Sequence, residues 1–262
     1  MIQQSPFLVP SYAALAEVYD RAGLSDFAAQ ATPQYLACVQ SLDWAGRRIL
    51  DLGCGTGAGA FWLAQNGYRV VGIDHNPHML AQANARAADL TLPLPDFVQA
   101  DMRQFDSLGG QFDLAMAVNG VMNAATSLRE LEQTFTCVNH ALEAGRLFIF
   151  DVHTIRGLAE DSGNADTVYY DNQDDLVITI QNRFSFETLS VTRHYTIWQR
   201  KGDAWRRRDE MHIDRGYPVQ GIVAMLGRTG FDVRATLTGA MEPFDAAAST
   251  PARAVIVAQK RA

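Results

Sequence analysis

The apolar run Ile49-Leu50-Asp51-Leu52 ends in Gly53-Cys54-Gly55-Thr56-Gly57, and a helical pattern carrying Phe61, Leu63 and Ala64 follows until Gly67. Glycines at alternate positions between a strand and a helix let the backbone turn sharply and present bare amides at a helix N-terminus, where a ligand approaches without meeting a Cβ. A strand that must hand over to a helix in this way belongs to an α/β fold, and the residues downstream keep the alternation. Val70-Val71-Gly72-Ile73 reads as a second strand closed by Asp74, with Asn76-Pro77 as N-cap and first residue of a helix bearing Met79, Leu80, Ala83 and Ala87. A third strand is predicted at Phe97 to Ala100, ending at Asp101, and a fourth at Leu114 to Val118, ended by Asn119 and Gly120. Ser127 and Glu130 have capping-box spacing before a helix with Leu128, Leu131, Phe135, Val138 and Leu142 on one face, and Arg146 to Val152 makes a fifth strand. Parallel strands joined by crossover helices are the expected outcome.

Two segments flank this core. Upstream, Tyr12, Leu15, Ala16 and Tyr19 fall at the spacing of one helix face with Ser11 as N-cap, and a second helix is predicted to start at Thr32-Pro33 with Leu36, Val39 and Leu42 buried. Downstream of His153 the texture turns β-rich, with Val177 to Phe184 and Val191 to Trp198 separated by turn residues, so residues 154–214 read as an antiparallel insertion. A helix from Pro218 to Arg228 and strands near Phe231 to Ala235 and Ala254 to Ala258 return to the core. The expected division is a core of residues 1–153 and 215–262, with an N-terminal helical lid, and an insertion of residues 154–214 that covers the substrate.

The 262 residues, 48% hydrophobic and 19% charged, supply an ordinary globular core, which excludes a disordered chain, a collagen-like repeat and a small disulfide scaffold. The balance of 22 basic against 29 acidic side chains, net −7, argues against a general nucleic-acid partner. Cys38, Cys54 and Cys137 are widely spaced, without Cys-x-x-Cys, which points to a reducing compartment and to no structural metal. With no basic leader and no run of about 18 apolar residues, the expectation is a cytoplasmic protein without a membrane partner.

By itself the glycine loop fits several nucleoside binders, because Gly53-x-Gly55-x-x-Ala58 also satisfies the looser dinucleotide fingerprint, and Asp74 at the second strand end suits a ribose diol in either case. What surrounds these residues discriminates. Ile49 to Gly57, with Asp51 two residues before the first glycine, resembles motif I of the class I S-adenosylmethionine-dependent methyltransferases. Val71 to Leu80 is similar to the family's second motif, Phe97 to Met102 to its adenine segment, and Phe112-Asp113-Leu114 to the opening of its fourth strand. The resemblance covers about residues 45–153 and implies a Rossmann-like sheet with helices on both faces, and S-adenosyl-L-methionine as cofactor.

Carried over residue by residue, it implies that Asp51 and the amides of Gly53, Cys54, Gly55 and Gly57 face the methionyl part, that Asp74 accepts from both ribose hydroxyls, and that Asp101 accepts from the adenine amino group beside the Met102 backbone. Leu52, His75 and Met79 would wall the pocket, Asn119 would stand at its strand-four end, and Tyr12 and Tyr19 would belong to a lid, with core packing of their rings as the plain alternative. For Met79 the plain alternative is a core side chain, and Cys54 reads as a small residue in a tight loop rather than a nucleophile. The β insertion, its Glu210-x-His212-x-x-Arg215-x-Tyr217 exit and Asn123 resemble methyltransferases that act on nitrogen or oxygen of small metabolites and natural products, although Gly120 stands where many of them carry an acid.

Methyl transfer from a sulfonium is an in-line displacement, so positioning and exclusion of water are the main requirements. Tyr19, His153 and His212 are the candidate catalytic residues, with Glu210 on the same strand face as His212; for each histidine a hydrogen-bonded structural role is the plain alternative. Arg206-Arg207-Arg208 reads as a solvated face. Two other functions use the same loop, a non-catalytic nucleoside-binding module and a nicotinamide oxidoreductase. A nucleic-acid methyltransferase is disfavoured because no Asn-Pro-Pro-Tyr or Asp-Pro-Pro-Tyr segment follows the fourth strand.

Overall fold

Asp26–Gln40 (α1) is the first long helix of the computed structural model, which describes residues 6–88, 94–106, 108, 111–160, 164–248 and 250–262. It is followed by the alternation expected from the glycine loop: Arg48–Leu52 (β1), Ala58–Gln65 (α2), Arg69–Asp74 (β2), Pro77–Ala88 (α3), Asp96–Gln99 (β3), Phe112–Ala117 (β4), Leu128–Ala141 (α4) and Leu142–His153 (β5). After the short helix Ile155–Glu160 (α5) come Asp166–Asp171 (β6), Leu176–Ser185 (β7), Ser190–Lys201 (β8) and Ala204–Arg215 (β9), then Val219–Arg228 (α6), Phe231–Thr238 (β10) and Arg253–Lys260 (β11).

Seven strands form one sheet in the order β10-β11-β5-β4-β1-β2-β3. β1 to β5 pair in parallel, whereas β11 runs antiparallel between β5 and β10. Because successive side chains alternate between faces, the sheet builds two cores. Ile49, Leu114, Met116, Ile149 and Val255 pack under α1 and α2 with Tyr35, Val39 and Leu63, while Leu50, Leu52, Ala115, Phe148 and Phe150 pack under α4 and α6 with Phe135, Val138 and Ile222. Helices thus cover both faces. β6 to β9 form a separate antiparallel meander, turning at Thr188 and at Gly202, where the insertion was expected. This sheet shares a third core with the N-terminal segment: Ala14, Leu15, Val18 and Ala22 pack against Leu176, Ile178 and Ile197.

Several local expectations fail: Leu142, expected on the helix face, opens β5, and Arg208, expected on a solvated face, is buried and paired with Glu17. Residues 11–19 form turns and a single 3-10 stretch, Ala16–Val18, instead of a helix: Tyr12 stands in left-handed backbone, φ +59°, where a right-handed helix cannot start, and its amide turns with those of Ala14 and Leu15 to the Glu210 side chain. The helix expected from Thr32-Pro33 begins at Asp26, with Pro33 inside it; burial of Ala31, Tyr35 and Val39 on one stripe outweighs the missing amide. Leu128, expected on the buried face of α4, is exposed at its first turn. Among the described residues no helix is long and apolar enough to cross a membrane.

Candidate functional site

The C-terminal ends of β1, β2, β4 and β5 meet the N-terminal segment and the insertion, and the residues expected to be functional gather there. Gly53 and Gly57 both have left-handed backbone, φ +64° and +83°. A Cβ on Gly53 would stand 2.7 Å from the Val121 methyls, and one on Gly57 2.7 Å from the Phe97 ring, so side chains are barred by space as well as by conformation. The loop is closed on itself: the Gly55 amide donates to Asp74 Oδ2 at 3.0 Å, and Asp74 Oδ1 accepts from the Asn76 amide at 2.9 Å. Burial raises the Asp74 carboxyl above its ordinary range, opposed by these two amides.

Asp51 is buried beneath the loop, and no hydrogen bond reaches its carboxyl from any described residue. Burial, and then the charge of Asp74, push it up to about 7. A buried carboxyl without a donor invites a cationic partner, and an amino-acid ammonium beside glycine amides satisfies it. A ribose diol suits Asp74, whose oxygens each retain acceptor capacity after one amide bond. The residues present therefore fit an adenosyl amino acid.

Other expected residues have been given partners that sequence spacing does not reveal. Asp101 holds Arg103 in a bidentate pair, which keeps its carboxyl below the usual range, and Arg103 also reaches Glu130 at 2.8 Å. Met102 is half-buried against the core. His75 is exposed, its Nδ1 3.6 Å from Asp74 Oδ1. Leu52 has no exposed surface, and Met79 is buried with its methyl 3.1 Å from where a Gly55 Cβ would lie. Cys54 is buried and its thiol is pushed up by that burial, an inert setting.

At the other end of the cleft, Asn119 has φ +75° and its amide donates to Asp151 Oδ1 at 2.7 Å, while the Gly120 amide donates to Oδ2 at 2.9 Å. Asp151 is fully buried on β5 and pairs with Arg253 on β11, whose guanidinium lies 3.9 Å from the Phe27 ring centroid. Arg253 Nη2 also lies 2.7 Å from His153 Nε2. A guanidinium only donates, so Nε2 accepts and the imidazole proton sits on Nδ1, which is buried without a partner. Burial, Arg253 and Arg193 lower the His153 pKa to about 3, so the ring is neutral. Asn123 ties this end together, donating to the carbonyls of His153 and Arg215 at 2.8 Å and accepting from the His153 amide. The Asp151–Arg253 pair was missed at the sequence level, although an acid inside Leu147-Phe148-Ile149-Phe150-Asp151-Val152 and an arginine opening the apolar β11 are visible signals.

Over the cleft lie Tyr12, Tyr19, Tyr195 and His212. The Tyr12 ring meets His212 edge-on at 4.4 Å and Tyr19 at 6.2 Å, and Tyr195 meets His212 at 5.0 Å. Burial raises the pKa of all three tyrosines, that of Tyr195 to about 12, so the hydroxyls stay protonated. His212 Nε2 is 2.9 Å from Glu210 Oε2. Glu210 is fully buried and also accepts from the Tyr12, Ala14 and Leu15 amides, which leaves it no lone pair for an acceptor proton. On the opposite side, Asp20 of the N-terminal segment accepts from the Thr56 hydroxyl of the glycine loop at 2.6 Å, and Asn76 donates to the Ser11 carbonyl at 2.9 Å. Among the described residues no three metal-ligating side chains converge.

Comparison with known proteins agrees with this geometry. Residues 49–145 match a methyltransferase domain family. The chain is 32% identical over 186 residues to the putative methyltransferase YqeM of Bacillus subtilis (strain 168), an alignment spanning 71% of this chain and 74% of that protein. Among solved structures, an S-adenosylmethionine-dependent methyltransferase from Clostridium acetobutylicum ATCC 824 superposes with TM-score 0.80 at 22% identity, covering 96% of this chain and 99% of that one. CalS10, an amino pentose methyltransferase from Micromonospora echinaspora solved with its cofactor bound, gives TM-score 0.72 at 18% identity, covering 93% of this chain and 96% of that one. With its mixed seven-stranded sheet, glycine loop and strand-end acids, the chain belongs to the class I S-adenosylmethionine-dependent methyltransferases, and S-adenosyl-L-methionine is its cofactor.

Proposed function

We propose that this enzyme methylates a nitrogen or oxygen atom of a small metabolite or natural product, with nitrogen as the preferred target. The observation that carries the reading is the roof: Tyr12, Tyr19, Tyr195 and His212 close the cleft from the N-terminal segment and the insertion, a setting for a compact acceptor rather than a polymer. The fold likeness to an amino pentose methyltransferase and to the sugar N-methyltransferase KedS8 supports the same acceptor class. In this reading residues 154–214 serve as the acceptor cover, and residues 1–153 with 215–262 as the cofactor-binding core.

When bound, the cofactor supplies a sulfonium methyl open to in-line attack. Asp51 would hold the ammonium end and Asp74 the ribose hydroxyls; the glycine loop, with Met79 beneath it, would fix the cofactor's height above the sheet, and Asp101 with Met102 would border the adenine. Asn119, set by Asp151, would flank the reacting methyl. Among the candidate catalytic residues, His153 Nε2 is taken by Arg253 and Tyr19 keeps its proton, whereas His212 is hydrogen-bonded to Glu210 through Nε2. An amine that arrives as the free base needs no proton removed before attack, whereas a hydroxyl must be ionised. Tyr19, His153 and His212 would then orient the acceptor as hydrogen-bonding groups.

The test is calorimetric titration with S-adenosylhomocysteine, S-adenosylmethionine and NADH, followed by a methyl-transfer screen of amines, amino sugars, phenols and RNA. Methylation of small amines with binding of the sulfur nucleosides is the expected result; transfer to RNA alone, or to no small molecule in a protein that binds the cofactor, overturns the acceptor assignment.

A further inference from the structure

Glu210 lies at the junction of two parts that the reaction treats differently, the segment over the cofactor and the sheet over the acceptor. Its carboxylate is fully buried and accepts from four donors, the amides of Tyr12 at 2.7 Å, Ala14 at 2.5 Å and Leu15 at 2.9 Å, and His212 Nε2 at 2.9 Å. The three amides fold the N-terminal segment into turns around one side chain, as an anion organises the free amides of a helix start. Tyr12 is thereby held at φ +59° with its ring against His212. The rest of the segment is fastened to the same sheet. Residues 7–9 pair with the backbone of Asp209, Glu17 pairs with Arg208 at 2.9 Å, Arg21 pairs with Asp175, and Ala14, Leu15 and Val18 enter the insertion's core. The segment's far side is bound to the cofactor loops through Asp20 to Thr56 at 2.6 Å and the Ser11 carbonyl to Asn76 at 2.9 Å.

We propose that Glu210 is a positioning residue that makes residues 7–24 a strap between the cofactor pocket and the acceptor cover, so that filling the first orders the second. The inference rests on the reading of the glycine loop and Asp74 as the cofactor pocket. Thr56 and Asn76 belong to loops whose order improves when the pocket is filled, and the strap carries that order to β8 and β9 because it is packed into their sheet. Linkage makes the effect reciprocal: whatever settles the cover improves cofactor affinity by the same factor.

Hydrogen exchange with mass readout on the full chain, with and without S-adenosylhomocysteine, tests this. In the wild type the nucleoside slows exchange in the glycine loop, in residues 11–16 and in β8 and β9. Glu210→Ala is expected to bind it about 10- to 100-fold more weakly, the loss set by hydrogen bonds to a charged group, with protection confined to the glycine loop. Glu210→Gln, which keeps one carbonyl oxygen for the Ala14 and Leu15 amides, is expected to fall between. If Glu210→Ala does not fold, Thr56→Val cuts one of the two ties to the cofactor loops, and there the protection of β8 and β9 must weaken while residues 11–16 remain docked on the insertion. Wild-type affinity and exchange in these variants, or a wild-type insertion indifferent to the nucleoside, overturns the strap and leaves the pocket assignment standing. A wild-type chain that does not bind the nucleoside overturns both.

Discussion

Asp51 is the side chain whose charge the fold controls most directly. Its carboxyl is raised from the ordinary 3.8 to about 7 by burial and by Asp74. Across that interval the unfolded chain holds fewer protons than the folded one, so this group's contribution to stability falls as pH rises from about 4 to about 7. Binding of an ammonium draws the other way, toward the carboxylate, and Asp74, also raised, titrates in the same direction. The affinity for S-adenosylhomocysteine is accordingly expected to increase with pH, at most about tenfold per unit for one proton, and to level off above about 7. Calorimetry across that interval checks it, and Asp51→Asn should give weaker binding with a flatter profile. Asp74→Ala is expected to cost about 1 to 3 kcal/mol of binding, the loss of charge-assisted hydrogen bonds. Unchanged affinity in that variant would contradict the pocket assignment. The acids at strand ends were legible in the sequence because their meaning is local, a fixed number of residues from a strand and a glycine. The roles of Glu210 and Asp151 were not, because their partners lie 195 to 198 and 102 residues away.

Among the elements, the turn from β1 into α2 is the least replaceable. Gly57→Ala places a Cβ 2.7 Å from Phe97 in left-handed backbone and is expected to lower unfolding free energy by about 1 to 3 kcal/mol, read from urea melts. At the β5–β11 seam, Arg253→Ala leaves the Asp151 carboxylate in the core with two amides and no cation, at a cost of about 3 to 5 kcal/mol. It should also free His153 Nε2, so the His153 imidazole, followed by NMR, is expected to titrate above its wild-type value of about 3. Element type was readable wherever period and caps agreed, as in α4, whose Ser127 hydroxyl accepts from the Glu130 amide as the capping-box spacing predicts. It was misread at residues 11–19, where the helical period is real but Tyr12, its amide turned to a distant carboxylate, stands in left-handed backbone. The start of α1 was misread for the opposite reason, since the Thr32-Pro33 signal is local and the packing of Ala31 on the sheet is not.

At the scale of the molecule, three cores are joined at one end of the sheet. The third unites residues that the sequence division assigns to different units, Leu15 and Val18 with Leu176, Ile178 and Ile197. Leu15→Ala is expected to destabilise by about 2 to 5 kcal/mol, and faster amide exchange in β7 and β8 than in β1 and β4 would show that the loss is felt in the insertion. The parallel part of the sheet was legible from alternating strands and helices, but the antiparallel seat of β11 was not, because nothing in Arg253 to Lys260 states which neighbours it will have. That seat governs the order of events at the ribosome. β11 is inserted between two strands translated before it, and it carries the arginine that neutralises Asp151. A nascent chain that has already made every cofactor-binding acid still has an open seam in its sheet and an unpaired carboxylate, so the site is completed only after β11 has emerged, and until then the exposed edges of β5 and β10 are surfaces for chaperones to shield.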